Sequence, residues 1–234
     1  MASFAVEPAA LAAFVPAGTA LDFYRGQTFV SLVGFRFLRT RLLGGRLGVP
    51  WHRDFDEVNL RFYVRRADPR TGEVRRGTVF IKEIVPRLAI ALVARLCYRE
   101  NYAAAPMRSR LAGPDPAAPD EVAFSWKFAG AWHQLAGRAD GPARESAPGS
   151  VEEFITEHYW GYSDRASHGQ RTLEYAVEHP RWRVRAVRDF QLALPAAAAL
   201  YGPALAAALG EAPASVFLAD GSAVRVYRGV PISG

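Results

Sequence analysis

Apolar and polar positions alternate with a period of two over most of this chain, the spacing of strands whose successive side chains take opposite faces. The separation is cleanest from Glu57: Val58, Leu60, Phe62 and Val64 fall on one face, Glu57, Asn59, Arg61, Tyr63 and Arg65 on the other. Strands are predicted from Leu21 to Tyr24 and Thr28 to Leu38, flanking Arg25-Gly26-Gln27, and from Phe55 to Arg66 and Val74 to Val85, flanking the turn-forming Ala67-Asp68-Pro69-Arg70-Thr71-Gly72. A third hairpin joins Val122 to Phe128 with Trp132 to Ala139, and Thr172 to His179, Trp182 to Val187 and Val224 to Tyr227 complete the strands. Helical spacing is confined to four stretches. Glu7 to Phe14 carries proline in its first turn and stops before Pro16, and Leu88 to Cys97 follows the strand that Pro86 ends. A capping box, Ser150 with Glu153, starts a helix running to about His158, and the alanine-rich Pro195 to Leu209 ends at Gly210. Residues 111–120, with three prolines, form a loop. Hairpins predominate and βαβ alternation is absent, which excludes a doubly wound sheet or a TIM barrel. The expectation is one domain of mainly β (α+β) class: an antiparallel barrel or strongly curved sheet around a cavity, with residues 86–97 as a helix packed against it.

With 234 residues, half of them apolar, the chain is long enough for a self-sufficient core. Its net charge of +6 suggests an acidic partner until the cations are inspected. Only Lys82 and Lys127 are lysines; the other basic residues are arginines, spread thinly and interrupted by acids and apolar positions. No helix-turn-helix, finger or RNP signature accompanies them, so they read as a solvated surface and no nucleic-acid partner is expected. The lone Cys97 rules out a disulfide framework and a cysteine-based zinc site. Arginine interrupts every apolar run short of the ~18–20 residues of a membrane span, and no secretory pattern opens the chain. A cytoplasmic protein is expected, with a homo-oligomer left open.

Candidate chemistry begins with charges in unexpected places. Arg36 shares a strand side with Val30, Leu32, Gly34 and Leu38, and Glu83 shares one with Val79, Ile81 and Val85. Each must find a partner, shift its protonation or face a wet cavity, and the two are expected to be mutual partners or to look into one polar pocket. Glu57, Asn59 and Arg61 face either solvent or the lumen of a ligand-holding barrel, with Arg65 read as solvent-facing. None of the five histidines has a tight metal spacing, so no metal is expected; His158 in Thr156-Glu157-His158-Tyr159-Trp160 and His179 before Pro180 stand out. No nucleophile elbow, Walker loop or dinucleotide fingerprint is present, and no cofactor is expected.

Six blocks then carry a resemblance: Phe-Val-Pro-Ala-Gly-Thr (14–19), Phe-Val-Ser-Leu-Val-Gly-Phe-Arg-Phe (29–37), the run from His52 to Arg65, Glu-Ile-Val-Pro-Arg (83–87), Thr-Glu-His-Tyr-Trp-Gly-Tyr (156–162) and Val-Glu-His-Pro-Arg-Trp (177–182). Together they resemble the YqjF-like bacterial family of unknown function, related in fold to acetoacetate decarboxylase. The resemblance implies a closed or cone-like antiparallel barrel with an internal cavity. It also implies that part of the family's N-terminal strand precedes the point where this chain starts. Acetoacetate decarboxylase uses a Schiff-base lysine after a Glu-…-Pro element; the comparable residue here is Arg87, which stays protonated and cannot form an imine.

Three readings follow. In the first, the cavity holds a small anionic, carboxylate-type molecule, with Arg87 as a bidentate anchor, Arg36, Glu57, Asn59 and Arg61 also lining it, and Glu83, Glu157 or His158 handling a proton. In the second, the protein is a non-catalytic ligand sensor or scaffold whose charges are structural. In the third, Lys82 replaces the missing Schiff-base lysine. Lys82 lies on the strand face opposite Glu83, and Lys127 sits beside a hairpin turn, so no imine is expected from either.

Overall fold

The computed structural model describes residues 1–38, 54–87, 101–115, 118–163 and 172–232. Its strands are β1 (Ala2–Val6), β2 (Ala20–Leu21), β3 (Thr28–Phe37), β4 (Phe55–Ala67), β5 (Val74–Val85), β6 (Tyr102–Ala104), β7 (Met107–Ala112), β8 (Glu121–Phe128) and β9 (Ala131–Glu145). These are followed by β10 (Trp160–Ser163), β11 (Leu173–Glu178), β12 (Arg183–Ala193), β13 (Ser215–Ala219), β14 (Arg225–Val226) and β15 (Val230–Pro231). The helices are short: α1 (Pro8–Leu11), continued by a 3-10 turn over Ala12–Phe14, then α2 (Val151–Thr156), α3 (Ala197–Tyr201) and α4 (Pro203–Leu209). The helix expected from Leu88 to Cys97 lies outside the described residues.

Local chemistry accounts for these elements. Arg25 and Gly26 both hold positive φ in the tight turn where Tyr24 bridges Gln27. In the β4–β5 turn, the Asp68 carboxylate accepts the backbone N–H of Arg70 at 2.9 Å, an Asx turn. Ser150 caps α2 by accepting the N–H of Glu153, while the Glu153 carboxylate reaches back to the N–H of Gly149 at 2.7 Å, one residue before the cap. The single helix expected from Pro195 to Leu209 is two, because Gly202, at φ 86° and ψ 161°, breaks the run ahead of Pro203.

All strands belong to one sheet in the order β14-β11-β10-β5-β4-β3-β1-β13-β12-β9-β8-β7, with β15 beside β11, β2 beside β4 and β6 beside β5. The expectation of a closed antiparallel barrel is met only in part. Most pairs are antiparallel, but β10 and β6 both pair parallel to β5, and the path from β14 to β7 stays open among the described residues. The sheet nevertheless curls strongly. Gly34 on β3 lies against the Phe124 ring of β8, a strand five places away along the sheet.

Two main cores lie one on each face of β3 and β4, beside a small third cluster of Val85, Tyr102 and Phe55. The larger gathers Phe4, Val30, Leu32, Val58, Leu60, Phe62, Val79 and Ile81 with Phe124, Trp126 and Leu135 from the curled-over strands and Tyr201, Leu205 and Leu209 from α3 and α4. The smaller joins Phe29 and Tyr63 to Phe154 and Ile155 of α2 and to Val184 and Phe217. The strand face carrying Glu57, Asn59, Arg61 and Tyr63 is the one that this second core extends.

Candidate functional site

Alternation along β4 directs Glu57, Asn59, Arg61 and Tyr63 to one side, and that side is not solvent. Glu57 is 2% exposed, Asn59 1% and Tyr63 1%, so the alternative left open by the sequence resolves to an enclosed face. Glu83 joins them by a route the alternation hides. Leu60 pairs with Lys82 but Arg61 pairs with Phe80, so Ile81 is the extra residue of a β-bulge. The bulge reverses the sidedness of everything beyond it. Val79 and Ile81 face the large core, as expected, while Glu83 faces the other way, opposite Asn59, and is 1% exposed. The expected common side for Val79, Ile81, Glu83 and Val85 is therefore corrected.

Hydrogen bonds knit the face together. Glu57 accepts from the Asn59 amide at 2.9 Å and from the Tyr102 hydroxyl at 3.2 Å, Tyr102 being the neighbour of Glu83 in the parallel β5–β6 pair. Toward the other end, Ser3, Ser31 and Tyr63 form a buried hydroxyl chain with links of 2.7 and 2.6 Å. The Tyr63 ring packs tilted by 30° against His158 at 4.6 Å, and the Arg61 guanidinium carbon lies 5.9 Å from the same ring centroid. His158 Nε2 is 3.3 Å from Asp22 Oδ2, which also accepts Arg76 Nε at 2.7 Å.

Burial sets the protonation of this region. It pushes the Glu57 carboxyl up to about 7, against the hydrogen bonds of Asn59 and Tyr102 and the charge of Arg61. It pushes the His158 imidazole down to about 4, because the attraction of Asp22 is too weak to restore the cation and Arg76 and Arg61 repel it. For Asp22, burial works to raise the pKa, but the hydrogen bonds of His158 and Arg76 outweigh it and hold the carboxyl below its ordinary range. The His158–Asp22 contact at neutral pH is thus a hydrogen bond from a neutral imidazole to a carboxylate. Three buried side-chain atoms here have no hydrogen-bond partner among the described residues: Asn59 Oδ1, Arg61 Nε and His158 Nδ1.

Other expected site residues lie elsewhere. Arg36 is 38% exposed in its side chain and binds Asp56 at 2.7 Å and Ser109 at 2.5 Å, so the expected Arg36–Glu83 pair does not form. The reason is register: Arg36 ends its apolar row at the rim of the curl, opposite Asp56, while the bulge sends Glu83 to the opposite face. Arg87 is exposed. Glu157 accepts from Tyr159 at 2.6 Å and lies 3.7 Å from Arg181, outside the enclosed row. Lys82 donates to Asn101 at 3.2 Å from the face opposite Glu83, and Lys127 is exposed beside its turn. Of the histidines, His52 and His168 lie outside the described residues, and His179 stacks at 4.1 Å on Trp182. No group of three metal-ligating side chains occurs among the described residues. The sequence reading missed Asp22, Tyr102, Ser3 and Ser31. Only Ser31 carried a signal, a polar residue on the alternate side of β3; the others depend on which strands pair.

The chain matches, over residues 1–223, the model of the DUF2071 family, described as an uncharacterized conserved protein (COG2071). No curated protein matches it. Among solved structures it is similar to an acetoacetate decarboxylase from Legionella pneumophila (11% identity, TM-score 0.62, covering 99% of this chain and 83% of that one). It is also similar to an acetoacetate decarboxylase-like enzyme from Sphingomonas wittichii RW1 (14%, TM-score 0.60, 99% and 89%). A third is the enduracididine biosynthesis enzyme MppR, complexed with the condensation product of pyruvate and imidazole 4-carboxaldehyde (10%, TM-score 0.57, 97% and 81%). At these identities the likeness is one of fold, and it agrees with the mostly β architecture. Since the family match spans nearly the whole chain, the protein belongs to the DUF2071 family of uncharacterized conserved proteins, with which the YqjF-like resemblance is consistent.

Proposed function

We propose that the protein binds a small carboxylate-bearing molecule against the enclosed polar face of β3 to β5 and handles a proton there, without a Schiff base. Arg61 supplies the cation, in place of the exposed Arg87; Asn59 orients the molecule; and the carboxyls of Glu57 and Glu83 give or take the proton. The observation that carries this reading is the set of buried atoms lacking partners, Asn59 Oδ1, Arg61 Nε and His158 Nδ1, on and beside one strand face. Each such atom costs about 1–3 kcal/mol when nothing meets it, so a polar occupant is the economical explanation. A half-buried guanidinium beside a carboxyl poised near neutral pH is also an arrangement suited to acid–base chemistry on an anion. The solved neighbour MppR, bound to pyruvate, makes 2-oxo acids the natural first probes.

The test is thermal melting with acetate, lactate, pyruvate and acetoacetate, on the parent and on Arg61→Gln. A ligand at one hundred times its Kd adds about 2.7 kcal/mol, a rise of roughly 5–10 °C for a chain of this size. The rise is expected in the parent and absent in the variant; no rise with any acid, or equal rises in both, overturns the reading. Pyruvate with borohydride, followed by intact-mass measurement, is expected to leave Lys82 and Lys127 unmodified. An adduct at Lys82 would return the chain to imine chemistry.

A second reading, a scaffold with structural charges, is favoured by one feature: Glu57 is already met by Asn59 and Tyr102 within the protein. It predicts no acid-dependent melting shift at all.

A further inference from the structure

His158 is fixed more tightly than a space-filling core residue requires. Its ring lies against Tyr63 at 4.6 Å and is edge-on to Phe154 at 5.3 Å, so aromatic rings hold it from two directions. The side chain is 1% exposed. Its Nε2 points at Asp22 Oδ2, and that oxygen already accepts Arg76 Nε at 2.7 Å, so Asp22 is held ionised and in place from two sides.

An ionised carboxylate only accepts hydrogen bonds, so Nε2 must carry the proton. Burial keeps the ring neutral at pH 7, so Nδ1 then holds a bare lone pair. That lone pair is buried and has no partner among the described residues. On the same Tyr63 ring rests Arg61, whose Nε is a buried donor in the same condition. A bare acceptor and a bare donor thus lie close to one ring, and one molecule can meet both only if it offers an acceptor and a donor close together. A carboxylate alone satisfies Arg61 and leaves Nδ1 facing an oxygen lone pair, which repels it.

We propose that Asp22 is a positioning residue that fixes His158 as the acceptor of the ligand site, and that the molecule taken there carries a hydroxyl within a few bonds of its carboxylate, the hydroxy-acid class. This rests on the proposed carboxylate site and adds the group that selects among carboxylates. A site built to accept from a hydroxyl rejects the analogue lacking it far more strongly than an apolar pocket rejects a missing methylene. Lactate and propionate differ by that one hydroxyl and are the probes. Asp22 acts only through His158, so its removal should erase the preference between them and leave the attraction of Arg61 for both.

The experiment is nitrogen-detected NMR of the full chain carrying ¹⁵N-histidine, with His158→Gln assigning the resonance. In the free protein at pH 7, His158 should show a protonated Nε2 and a pyridine-type Nδ1; Asp22→Asn should turn this into a mixture of tautomers. Saturating lactate should move Nδ1 toward the hydrogen-bonded range, propionate should not, and lactate should bind at least tenfold more tightly. Asp22→Asn should bring that ratio close to one. A protonated Nδ1 in the free protein overturns the proposal, as does lactate that binds without moving Nδ1, which would leave water as its only occupant. A fixed Nε2 tautomer with no binding of either acid overturns the ligand class and the carboxylate site beneath it while the Asp22–His158 assignment stands, so the two failures are separable.

Discussion

Glu57 meets a side-chain amide, a phenol and little water, and His158 meets two aromatic rings and a carboxylate, so burial moves both away from their ordinary ranges but in opposite senses. Burial pushes the folded Glu57 carboxyl up to about 7 from an ordinary 4.5. Between those values the native state holds the extra proton, so the contribution of Glu57 is fully present below about pH 4.5 and is lost as pH rises through 7. The folded imidazole titrates at about 4 against 6.5. Its contribution is present above about 6.5 and is lost as pH falls through 4. The two slopes oppose each other across the same window, and single variants should uncover them. Glu57→Gln should gain on the parent by up to about 3 kcal/mol as pH climbs from 4.5 to 7, and His158→Gln should gain on it as pH falls from 6.5 to 4. Urea unfolding at five pH values for the three proteins reads both signs. A variant that tracks the parent at every pH would mean that the group in question keeps its ordinary pKa.

Among the elements, those built on local signals were legible and those built on pairing were not. The alternation of β4, the Asx turn before β5 and the capping serine of α2 all follow from a few neighbouring residues, and each stands where the pattern predicts it. Ser150→Ala should therefore cost about 1 kcal/mol, measured as a shift of the urea midpoint without a change of slope, and should leave acid binding untouched. The bulge at Ile81 is different. Its sequence neighbours, Val79, Phe80, Lys82 and Glu83, alternate as an unbroken strand would, and only the partner strand reveals that one residue is surplus. Strands β1, β6, β10 and β13 are short and were missed for a related reason. Each is held by its neighbours in the sheet rather than by a long alternating run of its own. Arg36 and Glu83 show the consequence for the site: the period sets both on apolar rows, but Arg36 lies part-exposed against Asp56 and the bulge turns Glu83 to the opposite face.

At the scale of the molecule, the curl of the sheet brings β8 over β3, and Gly34 is where they touch. A Cβ there would lie 2.6 Å from the Phe124 ring, closer than any real contact, although the backbone itself is unstrained. Gly34→Ala is accordingly expected to lose about 1–3 kcal/mol through overpacking, and Phe124→Leu, harmful alone, should recover part of that loss in the double variant. Strictly additive losses in a double-mutant cycle would mean that the two strands do not meet there. The sequence by itself determined the class of structure, the positions of the long strands and which side chains of β4 share a face, because period and turn chemistry act over a few residues. Whether the polar face of β4 met water or protein was decided only by the tertiary structure. Enclosure there depends on α2, β6 and the segment holding His158 arriving from distant parts of the chain, and on a bulge that exists only against its partner strand. Local pattern can say which side a residue takes; what covers that side is a long-range property of the fold.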